Sequence, residues 1–259
     1  MQALNAMDEL IVGGIRTVRT TRSELAHRMV LDYDAAKNGH LKLPRIVTSS
    51  NGSVIYAFHK DKQFRDTLKN ADIIDADGMS LVWSTRLLCR RPLAERCATT
   101  DFVGDACASA AAAGINFYLL GSKPDRAEQA AKSLRLRHPD LQVVGTHDGY
   151  FRRDQEEQLC DEIVALRTDV LWVGLGSPLQ EEFAVRNRHR LAGLTWIRTC
   201  GGLFDHLTSQ TKRAPRWVQT AGFEWVVRAV QEPRRLGPRY LKTSPVALYH
   251  LLTKTYDPG

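Results

Sequence analysis

The sequence predicts an α/β fold, a Rossmann-like doubly wound, mostly parallel sheet, followed by a basic α-helical C-terminal appendage. Three observations carry this expectation. Short apolar, β-rich runs alternate with helix-length stretches along most of the chain, the rhythm of strand–helix–strand units with right-handed crossovers. Several of these runs end in glycine turns that open helices, as in Asn116–Pro124 and Asp169–Phe183. From Lys212 onward stand nine Lys or Arg against three acids, whereas the preceding residues carry 27 against 26, so the net charge of +7 belongs almost wholly to the tail. These features divide the chain into an α/β body over 1–208 and a basic amphipathic appendage over 209–259.

Taken in order, residues 11–20 fit a short strand or hairpin. Thr21 and Glu24 make a capping-box pattern for a helix over about 23–37, which Asn38-Gly39 stops. Ile46–Thr48 is a strand running into the polar turn Ser49-Ser50-Asn51-Gly52. One helix over 54–70 follows, with Ile55, Phe58 and Leu68 on its inner face. The strand Asp72–Asp75 turns at Asp77-Gly78 into a helix over 79–88. Thr100 or Asp101 caps an alanine-rich helix over 102–113, ended by Gly114. The Asn116–Pro124 unit leads to a helix over 125–137, then come a strand at Leu141–Gly145 and a helix over 155–166. In Asp169–Phe183, Val170–Val173 reads as a buried strand and Gly174 and Gly176 as the turn, with Ser177, Pro178 and Gln180 as N-cap, first and third residues of a helix. Thr195–Thr199 is the last strand and ends at Cys200-Gly201-Gly202. Beyond Asp205, Arg213-Ala214-Pro215 breaks the chain. A helix with apolar residues fills 216–230, and a second apolar segment begins at Arg239-Tyr240 and reaches Leu252.

At 259 residues and 43% hydrophobic, the chain is long enough for one large core. Five cysteines without a CxxC pair argue against both a disulfide framework and a zinc-finger site. No signal-peptide pattern precedes Ser23 and no apolar run approaches a membrane span, which predicts a cytosolic protein. A strand, a glycine loop and a helix N-terminus in succession present free backbone N–H groups to an anion, typically a phosphate. Gly121, Gly176, Gly201 and Gly202 therefore read as a nucleotide cradle, with plain turn glycines as the bland alternative.

The motifs carry a resemblance. In order they are Ala71-Asp72 through Asp77-Gly78, Glu95-Arg96 with Thr100-Asp101, the Gly121 turn, GTHDGYF at 145–151, VGLGSPLQEEF at 173–183, GGLFD at 201–205, RAPRW at 213–217, FEWVVR at 223–228 and EPRRLGPRY at 232–240. With this set the chain resembles the bacterial glycosyltransferases of the WecG/TagA/CpsF family over roughly 44–241, and the ordered string is far more specific than any single glycine loop. The resemblance implies an inverting hexosyltransferase of surface polysaccharide or exopolysaccharide synthesis. It would move a hexose or N-acetylhexosamine from a UDP-sugar to a saccharide on a polyprenyl (undecaprenyl) diphosphate lipid. No metal and no cofactor beyond the donor is implied. The protein would sit peripherally at the inner face of the plasma membrane, where a homo-oligomer is compatible with all of these features. Two departures from the family pattern fall near the expected sugar site. The usual Thr-x-Asn is drawn out to Thr48-Ser49-Ser50-Asn51, which leaves Ser50 and Asn51 both open for the Asn role, with Asn51 favoured, and Thr99-Thr100-Asp101 stands where many members have Gly-Thr-Asp.

Each implied site residue has a plainer reading beside it. Asp77 is the candidate base that takes the acceptor's proton, or else an N-cap. Thr48 supports Asp77 or touches the sugar, or is a strand-end hydroxyl. Arg96 holds a phosphate, or pairs at the surface with an acid. Gln180 reaches the sugar or phosphate, or serves a capping box; Asp205 accepts from uracil or ribose, or caps a helix. Asp75-Ala76-Asp77 spells the short Asp-x-Asp that holds Mn²⁺ in other glycosyltransferases, but begins inside a strand, so no metal site is expected. The leaving diphosphate then needs arginines and helix N-termini, for which Arg213, Arg216 and Arg228 are candidates; the same basic, aromatic tail suits an anionic bilayer, or is core and solvated face.

Two rival functions are weaker. A Rossmann dehydrogenase needs Gly-x-Gly-x-x-Gly after its first strand, whereas Gly174-Leu175-Gly176 comes late and lacks the third glycine. A nucleotide- or nucleic-acid-binding protein with a basic tail would leave the nearly neutral, glycine-turned body without a task, so no nucleic-acid partner is expected.

Overall fold

A computed structural model describes residues 7–208 and 233–258, together with Val218, Val227 and Val230. Arg213, Arg216 and Arg228 lie outside the described residues. The chain opens with an antiparallel hairpin, β1 (Glu9–Val12) and β2 (Ile15–Val18), turned at Gly13-Gly14. The alternating part follows as α1 (Arg22–Lys37), β3 (Arg45–Ser50), α2 (Gly52–Lys60), α3 (Lys62–Leu68), β4 (Ile73–Ala76), α4 (Met79–Leu88) and α5 (Thr99–Ala113). It continues with β5 (Phe117–Gly121), α6 (Arg126–Arg137), β6 (Val143–His147), α7 (Glu156–Ala165), β7 (Val170–Gly174), α8 (Leu179–Asn187), β8 (Trp196–Thr199) and α9 (Leu203–Thr208). After Pro233 comes a long helix, α10 (Pro233–Thr253).

Among the described residues, β3 to β8 form one six-stranded sheet in the order β4-β3-β8-β7-β5-β6, with every pairing parallel. A parallel sheet is buried on both faces, and the central strands β5 and β7 are accordingly apolar and buried throughout. One face packs Leu25, Met29, Phe102, Ala106 and Leu203, from α1, α5 and α9. The other packs Ile55, Phe64, Leu81, Phe183 and Leu251, from α2, α3, α4, α8 and α10. Helices on both faces of a parallel sheet make the doubly wound fold that the alternation predicts.

Local signals account for most boundaries. Thr21 and Glu24 complete their capping box, and Gly114 closes α5 in the left-handed conformation at φ 68°. Four expectations are corrected. The helix expected over 54–70 is two, because Asp61 leaves helical geometry, closes α2 and caps α3 by accepting from the Phe64 N–H. Neither Thr100 nor Asp101 caps α5, which starts earlier with Ala98 at its cap position. Ser177 is not the cap of α8; Pro178 holds that position without a side-chain bond. The last apolar segment begins at Pro233 rather than at Arg239.

The end of the appendage is built into the body. On α10, Thr243, Ala247 and Leu251 recur every fourth residue and are buried, and Thr255 continues the stripe. This face lies on α2 and α4. His250 stacks on His59 of α2 with ring centroids 3.5 Å apart. Past the helix, the Gly13 N–H donates to Thr255 Oγ1 at 3.0 Å, and Tyr256 bridges to Ile11 of β1. Replacing Leu251 by Ala should therefore destabilise the whole protein by about 2–5 kcal/mol, the range for emptying a packed leucine site. Leu248→Ala, on the exposed side of the same helix, should stay within about 0.5 kcal/mol of wild type. Equal melting temperatures for the two variants would show that α10 contributes nothing to the core.

Candidate functional site

Every strand of the large sheet points the same way, so the loops after β3, β4, β5, β7 and β8 gather along one carboxyl edge, where open α/β sheets bind their ligands. At the β3–β4 side, Ser49 lies opposite Asp75 and Ser50 opposite Ala76. The Asp77 N–H continues the ladder by donating to the Ser50 carbonyl at 2.8 Å, which sets the half-buried Asp77 beside Asn51. Asn51 is the N-cap of α2: its Oδ1 accepts from the Ser53 and Val54 N–H groups at 3.0 and 3.2 Å. Ser50 is in the strand and buried. Gly78, not Asp77, occupies the cap position of α4, and no side chain caps that helix.

Arg96 enters from the loop before α5. The Cys97 N–H donates to the Ala76 carbonyl at 2.8 Å, so this loop is fastened one residue from Asp77. Arg96 pairs with Asp101 in the first turn of α5 at 2.9 Å, and both side chains are largely covered. Its neighbour Glu95 points elsewhere, accepting from the Arg22 backbone N–H.

The glycine turns meet shoulder to shoulder. A Cβ on Gly121, at φ 134°, would come within 2.5 Å of the Gly174 carbonyl carbon, and one on Gly174 would come within 3.0 Å of the Gly201 oxygen. Gly121 is required for the close approach of β5 and β7, and Gly174 makes a tight fit against the turn after β8. Gly176 at φ 79° and Gly201 at φ 52° face open space, as does Gly202. Gln180 is buried and bridges two turns, its Oε1 accepting from the Gly201 N–H at 2.9 Å and its Nε2 donating to Glu181 at 2.8 Å. Asp205 is exposed at the start of α9 and accepts from the Ser122 hydroxyl at 2.8 Å, which ties α9 to the Gly121 turn. His147 and Asp148 are spent on a local turn: the His147 ring bonds the Asp148 carbonyl, and Asp148 accepts from the Tyr150 N–H.

Beneath this surface lie two residues that the sequence reading passed over. Arg198, in the middle of β8, is wholly buried and pairs with the equally buried Asp75. Its Nη2 also donates to Ser49 Oγ at 2.9 Å and to Thr99 Oγ1 at 3.3 Å. One carboxylate oxygen of Asp75 is thereby engaged by a cation of the protein. Among the described residues no group of three or more His, Cys, Asp or Glu side chains stands together to hold a metal. The signal for Arg198 was its place in an otherwise apolar central strand, where a cation needs a buried partner.

Glu181 is the second. Its Oε1 takes the Gln180 amide and the Thr48 hydroxyl, the latter at 3.5 Å, and Thr48 in turn accepts from Thr199 at 2.7 Å. Thr48 is buried and holds this network under the edge. Glu181 Oε2 is buried with no hydrogen-bond partner. Burial pushes the Glu181 carboxyl above its ordinary value of 4.5, against the opposing pull of its hydrogen bonds. The native state then keeps this proton to a higher pH than the unfolded chain. The contribution of Glu181 is full below about pH 4.5 and is lost as pH rises through the raised folded value. Glu181→Gln keeps the shape and the hydrogen-bond acceptor while removing the charge. The stability advantage of the variant over wild type, measured by thermal melts, should grow as pH rises above about 4.5. A difference that does not change with pH would mean that Glu181 is ionised alike in both states.

Thus the structure brings Asp77, Asn51 and Arg96 to one end of the edge, and Gly176, Gln180, Gly201, Gly202 and Asp205 to the turns beside it, with Thr48 below. The model of the glycosyl transferase WecG/TagA/CpsF family matches residues 11–258, nearly the whole chain, including most of the hairpin and the part of α10 beyond Tyr240, where the motifs alone do not reach. The chain belongs to this family of glycosyltransferases, enzymes of cell-surface polysaccharide synthesis that join a nucleotide-sugar donor to a glycan acceptor.

Proposed function

We propose that this protein is an inverting hexosyltransferase that moves a hexose or N-acetylhexosamine from a UDP-sugar to a saccharide carried on a polyprenyl diphosphate, with Asp77 as general base and no metal ion. The observation that supports this best is the position of Asp77. It stands at the carboxyl edge, fixed through its backbone to the end of β3, and directly before a helix whose N-terminus has no side-chain cap. A carboxylate there is placed to take the proton of an acceptor hydroxyl as that oxygen attacks the anomeric carbon and the donor's C–O bond to the diphosphate breaks. The UDP leaves with its added negative charge. Two helix N-termini at this edge, those of α4 and α8, lack side-chain caps, so their N–H groups suit an oxyanion. In this reading Arg96 and the tail residues Arg213, Arg216 and Arg228 supply the cations, Thr48 and Asn51 support the sugar end, and Gly121, Gly176, Gln180, Gly201, Gly202 and Asp205 shape the nucleotide end.

A lipid-linked acceptor requires the enzyme to work at a bilayer. Among the described residues no helix is long and apolar enough to cross a membrane, and we assign the protein a peripheral place on the cytoplasmic face.

Asp77→Asn should keep the fold and bind UDP, yet lower turnover by on the order of 10²–10⁴-fold, the usual contribution of a general base. Calorimetry with UDP and a transfer assay over a panel of UDP-sugars measure the two halves, and near wild-type turnover would remove Asp77 from the mechanism. Turnover should also survive chelation by EDTA, because Asp75 is already paired with Arg198. Activity lost on chelation and restored by Mn²⁺ would reinstate a metal.

A further inference from the structure

We propose that the outward face of α4 is a lipid-docking surface that seats the catalytic edge on an anionic bilayer. The choice of a bilayer rests on the proposed lipid-linked acceptor, but the face itself stands on its own geometry. α4 buries Leu81, Val82, Ser84 and Thr85 against the sheet. Its other side carries Trp83, 48% exposed, and Leu87, 73% exposed, one helical turn apart, with Leu88 at 41% beside them. Large apolar side chains grouped in this way mark a contact surface rather than ordinary scatter.

The charge around these side chains selects the occupant. From Gly78 to Ala94 the sequence holds Arg86, Arg90 and Arg91 and no acid. The Arg86 guanidinium lies over the Trp83 ring, 5.1 Å from its centre. Arg91 reaches back to Asp8 and Asp257, while Arg86 and Arg90 are exposed. A two-fold contact with a second copy would set Arg86 and Arg90 near their own equivalents with no acid on the helix to compensate. An anionic bilayer does the opposite: headgroups meet the arginines while the indole and the leucines enter the interfacial layer. The neighbouring α10 adds exposed Leu248 and Leu252. Because α4 starts immediately after Asp77-Gly78, docking this face would bring the edge bearing Asp77 to the height of a lipid diphosphate.

The test uses the full chain and vesicles without donor or acceptor, of phosphatidylcholine alone or with phosphatidylglycerol. Wild type should float with the anionic vesicles and release as salt rises. The double variant Trp83→Ala/Leu87→Ala should lose roughly tenfold or more of that binding, since each truncated side chain removes apolar area from the interface. Leu136→Ala serves as the control, because Leu136 is 84% exposed but lies on α6 across the sheet. Melting temperature and light-scattering mass should be unchanged in all three proteins. The proposal is overturned if wild type does not float, if the double variant floats as well as wild type, or if the double variant turns a wild-type dimer into a monomer without loss of vesicle binding. Transfer to a short-chain, water-soluble acceptor separates this from the catalytic reading. The double variant should keep that turnover and lose it only on acceptor embedded in vesicles. Failure of wild type on every acceptor would count against the catalytic reading, while the docking face would still be decided by flotation.

Discussion

The carboxyl edge of the sheet is organised by one buried ion pair. Arg198 sits in a central strand of a parallel sheet, where neither face offers water, and leaving its cation unpaired there would cost about 3–5 kcal/mol. Asp75 neutralises it from β4, two strands away, and Ser49 and Thr99 take its remaining Nη2 hydrogen bonds. The Phe102 ring covers the guanidinium at 5.2 Å. Four pieces of chain are thereby held in fixed relation: β8, β4, β3 between them, and the first turn of α5. Asp77, Asn51 and Arg96 each hang from one of these pieces. Asp77 follows Asp75 by two residues, Asn51 follows Ser49 by two, and Arg96 is held by Asp101 in the turn that Thr99 begins. A buried pair of this kind adds little net stability compared with well-packed apolar residues. Its value here is positional, because any shift of β4 against β8 would leave a charge uncovered.

The glycines show how a correct signal can carry more than one cause. Strand, glycine, helix was legible in the sequence, and the turns are where it placed them. Two of those glycines answer to packing first: Gly121 against Gly174 leaves no room for a side chain, and Gly174 against Gly201 leaves very little. Gly176 and Gly202 face open space, so close packing does not explain them. Sequence alone could not sort these cases, since the neighbour that forbids a Cβ on Gly121 lies 53 residues away on another strand. The same limit explains Gln180. Its spacing from Ser177 fitted a capping box, but the side chain turns away from its own helix to hold the backbone of Gly201.

Periodicity, caps and turn residues are local properties, and they gave the strands, the order of elements and most helix ends. Pairings across the sheet are not local. Arg198 and Glu181 are ordinary letters in TWIRT and LQEEF, and nothing within either stretch names Asp75 or Thr48 as a partner. A cation inside an apolar strand was nevertheless a usable warning. Asp61 misled for a different reason: it interrupts a continuous apolar helical pattern with a single residue whose side chain caps the next helix, as Asp often does.

The division between body and appendage was drawn from composition, and burial does not follow it. Ala247 and Leu251 share an apolar core with α2 and α4, and Tyr256 pairs with β1, so the start and the end of the chain meet at one corner. On the other flank, α9 packs on α6. The described helices on either side of Arg213, Arg216 and Arg228 in sequence, α9 and α10, both pack on the body. Under the proposed function, these cations would meet a diphosphate at the sheet edge at an effective concentration set by the length of the connecting chain, not by diffusion from bulk. Their encounter with a leaving diphosphate would cost less ordering than recruitment of a free partner, and it would depend on the packing of α10 that fixes the far end. Under that reading the core contacts of Leu251 and a base at Asp77 would belong to one mechanical system, because loosening the first would alter what cations come near the second.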